Sequence, residues 1–74
     1  MIDHPSYKNT RSTQQVVHAA IDRSKSHTEI VHLPYSAGAA QILADECEGS
    51  VEGNGVREYW GTDVNGNEWR VHLV

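Results

Sequence analysis

Apolar positions recur at two different spacings along this chain, and the change of spacing marks out the elements. Val16, Val17, Ala20 and Ile21 follow one another at helical intervals after Ser12 and Thr13, either of which can cap a helix N-terminus. The pattern predicts a helix from there to about Lys25, where Arg23 and Lys25 suit the negative end of the helix dipole. Thr28-Glu29-Ile30-Val31-His32-Leu33 alternates instead, which predicts a short strand that Pro34 stops. Val31 and Leu33 would share one face, Ile30 and His32 the other. Ser36 then caps a second helix running from Ala37 to about Cys47, with Ala40, Leu43, Ala44 and Cys47 along one side and Ala39 and Ile42 beside them. Gly49 is placed to end that helix. Glu52-Gly53-Asn54-Gly55 reads as a loop.

From Val56 to Val74 the spacing is that of strands again, in two runs flanking Asn65-Gly66. Asn-Gly between alternating apolar residues predicts a hairpin with a two-residue type I′ turn. Such a turn pairs Thr62 with Trp69, Trp60 with Val71, Tyr59 with His72 and Glu58 with Leu73. One face then carries Val56, Trp60, Val64, Trp69, Val71 and Leu73 and is expected to be the core face. The other carries Arg57, Tyr59, Asp63, Glu68, Arg70 and His72 and is expected to be wet. A one-residue slip would exchange the faces, so the placement of the two tryptophans carries the register.

The element order is therefore α-β-α-β-β. It predicts an α+β, two-layer fold: a three-stranded, mostly antiparallel sheet with two helices on one face. The strand at 28–33 would run parallel to the one at 56–62 if the two are neighbours. Residues 1–11 hold little apolar material and are expected to be irregular, leaving 12–74 as a single α+β domain.

Composition narrows the function classes. With 74 residues, 38% of them hydrophobic, and no Phe, the chain is near the lower size limit for a core of its own. A partner or a second copy would help it. Cys47 is the single cysteine, so an internal disulfide is excluded and a reducing cytoplasm fits. No apolar run reaches membrane-spanning length, and Met-Ile-Asp-His-Pro lacks the basic and apolar blocks of a signal peptide. A cytoplasmic protein without a membrane partner is expected.

The net charge of −4 is unevenly placed. Residues 1–37 set Lys8, Arg11, Arg23 and Lys25 against Asp3, Asp22 and Glu29. Residues 38–74 set only Arg57 and Arg70 against Asp45, Glu46, Glu48, Glu52, Glu58, Asp63 and Glu68. An acidic half argues against nucleic acid as a direct ligand, since phosphate neutralisation needs a basic stripe. It suits a basic protein surface, toward which acidic patches steer.

Candidate chemistry is sparse. His4, His18, His27, His32 and His72 do not form the Cys-x-x-Cys or His-Glu-x-x-His spacings of metal sites, so no metal and no cofactor is expected. Cys47 with a histidine is a conceivable nucleophile–base pair, but it falls on the apolar stripe of a helix, where a thiol behaves as a small hydrophobe. The Gly49…Gly53-Asn54-Gly55 pattern lacks the lysine and Ser/Thr of a phosphate loop. The expectation is that the protein is not an enzyme. The first candidate site is the cluster Asp45, Glu46, Glu48 and Glu52 at the C-terminal end of the second helix, where carboxylates oppose the helix dipole. The second is the polar face of the hairpin, Arg57, Tyr59, Arg70 and His72, with Tyr and Arg favoured at hot spots.

The tail Glu58-Tyr59-Trp60-Gly61-Thr62-Asp63-Val64-Asn65-Gly66-Asn67-Glu68-Trp69-Arg70-Val71-His72-Leu73 resembles the C-terminal hairpin of short bacterial and phage proteins. In its make-up the chain resembles the phage-encoded anti-CRISPR inhibitors, which are very small, acidic, single-domain and free of catalytic motifs. That resemblance implies binding to a CRISPR effector complex, with carboxylates standing in for phosphates in its basic channel. The class shares no sequence motif, so it assigns no role to any residue here. The leading expectation is a binding protein that docks on a basic surface of a nucleic-acid-handling complex. Two alternatives stand beside it: a small nucleic-acid module, with Tyr59 stacking on a base and Arg57 and Arg70 on the backbone, and a homodimeric accessory protein.

Overall fold

The computed structural model describes residues 12–74; the expectation for residues 1–11 lies outside them. Two helices and four strands follow in the order α1 (Thr13–His27), β1 (Ile30–Leu33), α2 (Ala37–Glu46), β2 (Gly49–Gly53), β3 (Val56–Thr62) and β4 (Glu68–Leu73). The fold is α+β, with both helices packed on one face of a mixed sheet whose strand order is β1-β4-β3-β2.

Local signals explain the helices. The Ser12 hydroxyl accepts from the backbone N–H of Gln15 while the Gln15 side chain accepts from the Ser12 N–H, a reciprocal capping box. The Ser36 hydroxyl caps α2 by accepting from the Ala39 N–H at 3.1 Å. The end of α1 is set by Thr28 in the left-handed region at φ 52°, with its N–H on the Ser24 carbonyl. The core is one cluster: Val17, Ala20 and Ile21 from α1, Ala39 and Leu43 from α2, and Tyr59, Trp69, Val71 and Leu73 from the sheet.

The sheet departs from expectation in three ways. It has four strands rather than three, because Gly49–Gly53 forms an edge strand instead of a helix stop and a loop. Its hairpin with β3 turns through Asn54-Gly55, at φ 52° and 79°. This, and not Asn65-Gly66, is the two-residue Asn-Gly turn with both residues at positive φ. Second, β1 runs parallel to β4, not beside β3. The crossover through α2 and the β2–β3 hairpin delivers β4 into the centre of the sheet.

Third, the β3–β4 hairpin is shifted by one residue. Asp63 pairs with Asn67 through its N–H to the Asn67 carbonyl at 3.0 Å, and the Gly66 N–H returns to the Asp63 carbonyl at 3.0 Å. The loop is thus Val64-Asn65-Gly66, a turn with only Gly66 at positive φ (84°). One carboxylate oxygen of Asp63 accepts from the N–H groups of Asn65 (2.8 Å) and Asn67 (2.9 Å), which favours the longer loop. One extra loop residue turns β3 over relative to β4. Tyr59 now pairs with Val71 and enters the core at 7% exposure, while Trp60 pairs with Arg70 on the opposite face. Val56 also faces away from the helices, and Val64 at the loop tip is fully exposed. Of the expected core face, the β4 half (Trp69, Val71, Leu73) is correct and the β3 half is reversed.

Both tryptophans lie across a glycine on the neighbouring strand. A Cβ at Gly61 would sit 2.7 Å from the Trp69 ring, and one at Gly49 would sit 2.6 Å from the Trp60 ring. Gly61 therefore lets Trp69 lie flat in the core, and Gly49 does the same for Trp60 on the open face.

Candidate functional site

Two surfaces stand out among the described residues: the corner where α2 passes into β2, and the sheet face that neither described helix covers.

The corner holds Asp45, Glu46 and Glu48. Asp45 accepts from the Gln41 amide at 3.2 Å, Glu46 meets His18 Nε2 at 2.7 Å across the two helices, and Glu48 meets the Thr62 hydroxyl at 3.5 Å. None of the three pairs with a lysine or arginine among the described residues. The α2 C-terminus has no basic residue in its last turn, so these carboxylates add to its negative pole. Glu52 is placed differently. It lies near the far end of β2, about 13 Å along the strand from Glu48, and bonds Arg57 Nε at 3.0 Å. That same arginine stacks over the Tyr35 ring at 4.2 Å, and the Glu52 carboxylate raises its affinity for its proton.

The hairpin face Arg57, Tyr59, Arg70 and His72 does not exist as one surface. The register shift puts Arg57 and Tyr59 on the helix side and leaves Arg70 and His72 on the open side. Burial of Tyr59 pushes its phenol above the usual tyrosine range and closes off a base-stacking role. The residue that sequence reasoning missed is Trp60. A type I turn with Asp at its first and Gly at its last position fits Asp63-Val64-Asn65-Gly66 and was the signal for the longer loop that turns it, half-buried, to the open face.

The open face is read most simply as rows across the sheet, in the order β2-β3-β4-β1. One row is Gly49, Trp60, Arg70 and Ile30, and the next is Val51, Glu58, His72 and His32. His72 lies 3.5 Å from a Glu58 oxygen, and its ring meets that of His32 edge-on with centroids 5.1 Å apart. Ile30, Val51 and Val56 are exposed here although apolar. Arg23, Lys25 and Arg57 each bridge to a carboxylate, whereas Arg70 makes no ion pair with another described residue.

Among the described residues no three His, Cys, Asp or Glu side chains converge as a metal site. Cys47 caps α2, half-buried against the core, with its thiol toward the Ala44 carbonyl at 3.6 Å. A hollow beside β1 and β4, of about 250 Å³, is lined by Ser24, Thr28, Glu29, Ile30, Glu68, Trp69 and Arg70 and opens broadly to solvent. No described helix is long and apolar enough to cross a membrane. No protein-family model, curated protein or solved structure matches this chain.

Proposed function

We propose that this is a non-enzymatic binding protein whose acidic α2–β2 corner docks on a basic protein surface, acting as an inhibitor of a nucleic-acid-handling complex of the CRISPR-effector kind. The observation that carries the reading is the grouping of Asp45, Glu46 and Glu48 at one helix C-terminus without a lysine or arginine partner among the described residues. Carboxylates so placed oppose the helix dipole, and a sequence shaped for stability alone would carry cations there. Among the described residues Arg23, Lys25 and Arg57 are spent on internal pairs and Arg70 lies on the open sheet face, which leaves a concentrated negative corner on the −4 chain. Glu52 supports this surface less, because Arg57 neutralises it.

The test is capture from lysate of the source organism with the wild type, the triple variant Asp45→Asn/Glu46→Gln/Glu48→Gln, and Glu52→Gln alone. The expected result is a nucleic-acid-handling complex recovered by the wild type and by Glu52→Gln, released by raised salt and displaced by DNA. The triple variant should recover it at least about tenfold less well, equivalent to about 1.4 kcal/mol. Equal recovery by the triple variant overturns the reading.

A further inference from the structure

The open sheet face is unlike the acidic corner in chemistry, and its rows carry their own complement. Trp60 and Arg70 stand side by side in one row, Glu58 and His72 side by side in the next, and the two pairs occupy the two central strands. We propose that this face is where two copies of the chain meet, sheet against sheet, about a two-fold axis running along the strands between β3 and β4. Such an axis lays β4 of one copy over β3 of the other. Arg70 then covers Trp60 of the second copy, as a cation over an indole face, and His72 meets Glu58 of the second copy. Ile30 comes to lie over the second copy's Gly49, which that copy's Trp60 ring covers, so the contact is apolar side chain on indole.

Each contact occurs twice by symmetry, so the surface satisfies itself. A two-fold axis across the strands would instead exchange the rows, setting Arg70 against His72 and Trp60 against Glu58. The strand-wise axis is therefore the one that charge selects, and it agrees with the near-aligned packing of sheet pairs.

The apolar content points the same way. Among the described residues, three of the six exposed large apolar ones, Ile30 (41%), Val51 (54%) and Val56 (37%), lie on this one face beside Trp60. Four strands spaced by about 4.8 Å give a face on the order of 500 Å² per copy, at the small end of stable interfaces. The association is accordingly weak, in the micromolar range or above, and depends on concentration. It uses none of Asp45, Glu46 and Glu48, so it stands or falls separately from the acidic-corner reading.

Sedimentation equilibrium of the full chain from about 10 μM to about 1 mM tests it. The expected mass rises from 8.2 kDa toward twice that value. Arg70→Glu and Ile30→Lys, both at exposed positions, should each weaken association at least tenfold with unchanged far-UV circular dichroism. Val64→Lys, at the loop tip, should leave it unaltered. Amide shifts on dilution should gather at Ile30, His32, Val51, Trp60 and Arg70. A mass of 8.2 kDa at every concentration overturns the proposal. So does a dimer indifferent to both face variants, or a monomer whose Trp60 face binds a single-stranded oligonucleotide instead.

Discussion

Single residues decide how this hairpin folds, and Asp63 decides most. Its carboxylate accepts from two loop N–H groups and meets Lys25 Nζ at 3.3 Å, so its pKa lies below the ordinary aspartate value, chiefly through the bond from the Asn67 N–H. A carboxyl whose folded pKa is depressed contributes stability that is complete above its unfolded value, about 3.9, and is lost as pH falls through the folded one. Glu29, bonded by Arg23, is depressed in the same direction. The urea midpoint of the wild type should therefore fall as pH drops below about 4, and Asp63→Ala should start lower and fall less steeply. An unchanged acid limb in the variant would show that Asp63 is not the titrating group. The glycines give a second comparison at this scale. Gly61→Ala drives a methyl into Trp69, which is enclosed by the core, and should cost about 1–3 kcal/mol. Gly49→Ala meets Trp60, which has solvent to swing into, and should cost less than about 1 kcal/mol. Chemical denaturation of the two variants ranks them, and the reverse order would mean that Trp60 is the better-held ring.

Among the elements, both helices were legible because their start signals are local: a capping serine followed by apolar residues at helical spacing. β2 was not. Gly-Ser-Val-Glu-Gly carries one β-branched side chain, Val51, and two glycines, too little for the sequence alone to mark a strand. It becomes a strand because β3 offers it a ladder and Asn54-Gly55 turns the chain back at the right length. The join between α1 and the sheet rests on Ser24, 2% exposed. Its hydroxyl donates to the Glu29 carbonyl at 2.6 Å and accepts from the Arg70 N–H at 2.8 Å, tying the helix end to β1 and β4 together. Ser24→Ala strands both groups and should cost about 1–3 kcal/mol in urea unfolding. A cost near zero would mean that water replaces the hydroxyl. Thr28 sits just beyond that helix end at φ 52°, where a β-branched residue is strained. Thr28→Gly should raise stability by about 0.5–1 kcal/mol despite the added freedom of the unfolded chain.

As a whole the molecule is a thin two-layer body with nine buried apolar residues in its described core. A domain of this size carries on the order of 4–11 kcal/mol of stability. Leu43, with 0% exposure, joins α2 to the rest, and Leu43→Ala should cost about 2–5 kcal/mol. That is enough to broaden or abolish the cooperative thermal transition, which calorimetry would read directly. A sharp transition within a few degrees of wild type would mean that the core closes around the gap. The two candidate surfaces also differ at this scale: acidic-corner binding should weaken as salt rises, whereas the open face, with one arginine and several apolar groups, should be far less sensitive.

What the amino-acid sequence determined by itself was whatever depends on near neighbours. This covers the two helices and their N-caps, the strand before Pro34, the inward face of β4 and the unequal spread of charge. The tertiary structure decided everything that depends on which strand meets which, and in what register. Two Asn-Gly pairs stand in this chain, and either can form a two-residue turn. Asp63 converts the second into a longer loop by holding two of its N–H groups, and that one residue moves Tyr59 inward and Trp60 outward. Side chains alternate with a period of two, so a local difference of a single residue becomes a global exchange of faces. Only with that exchange made do Trp60, Arg70, Glu58 and His72 come to share one surface.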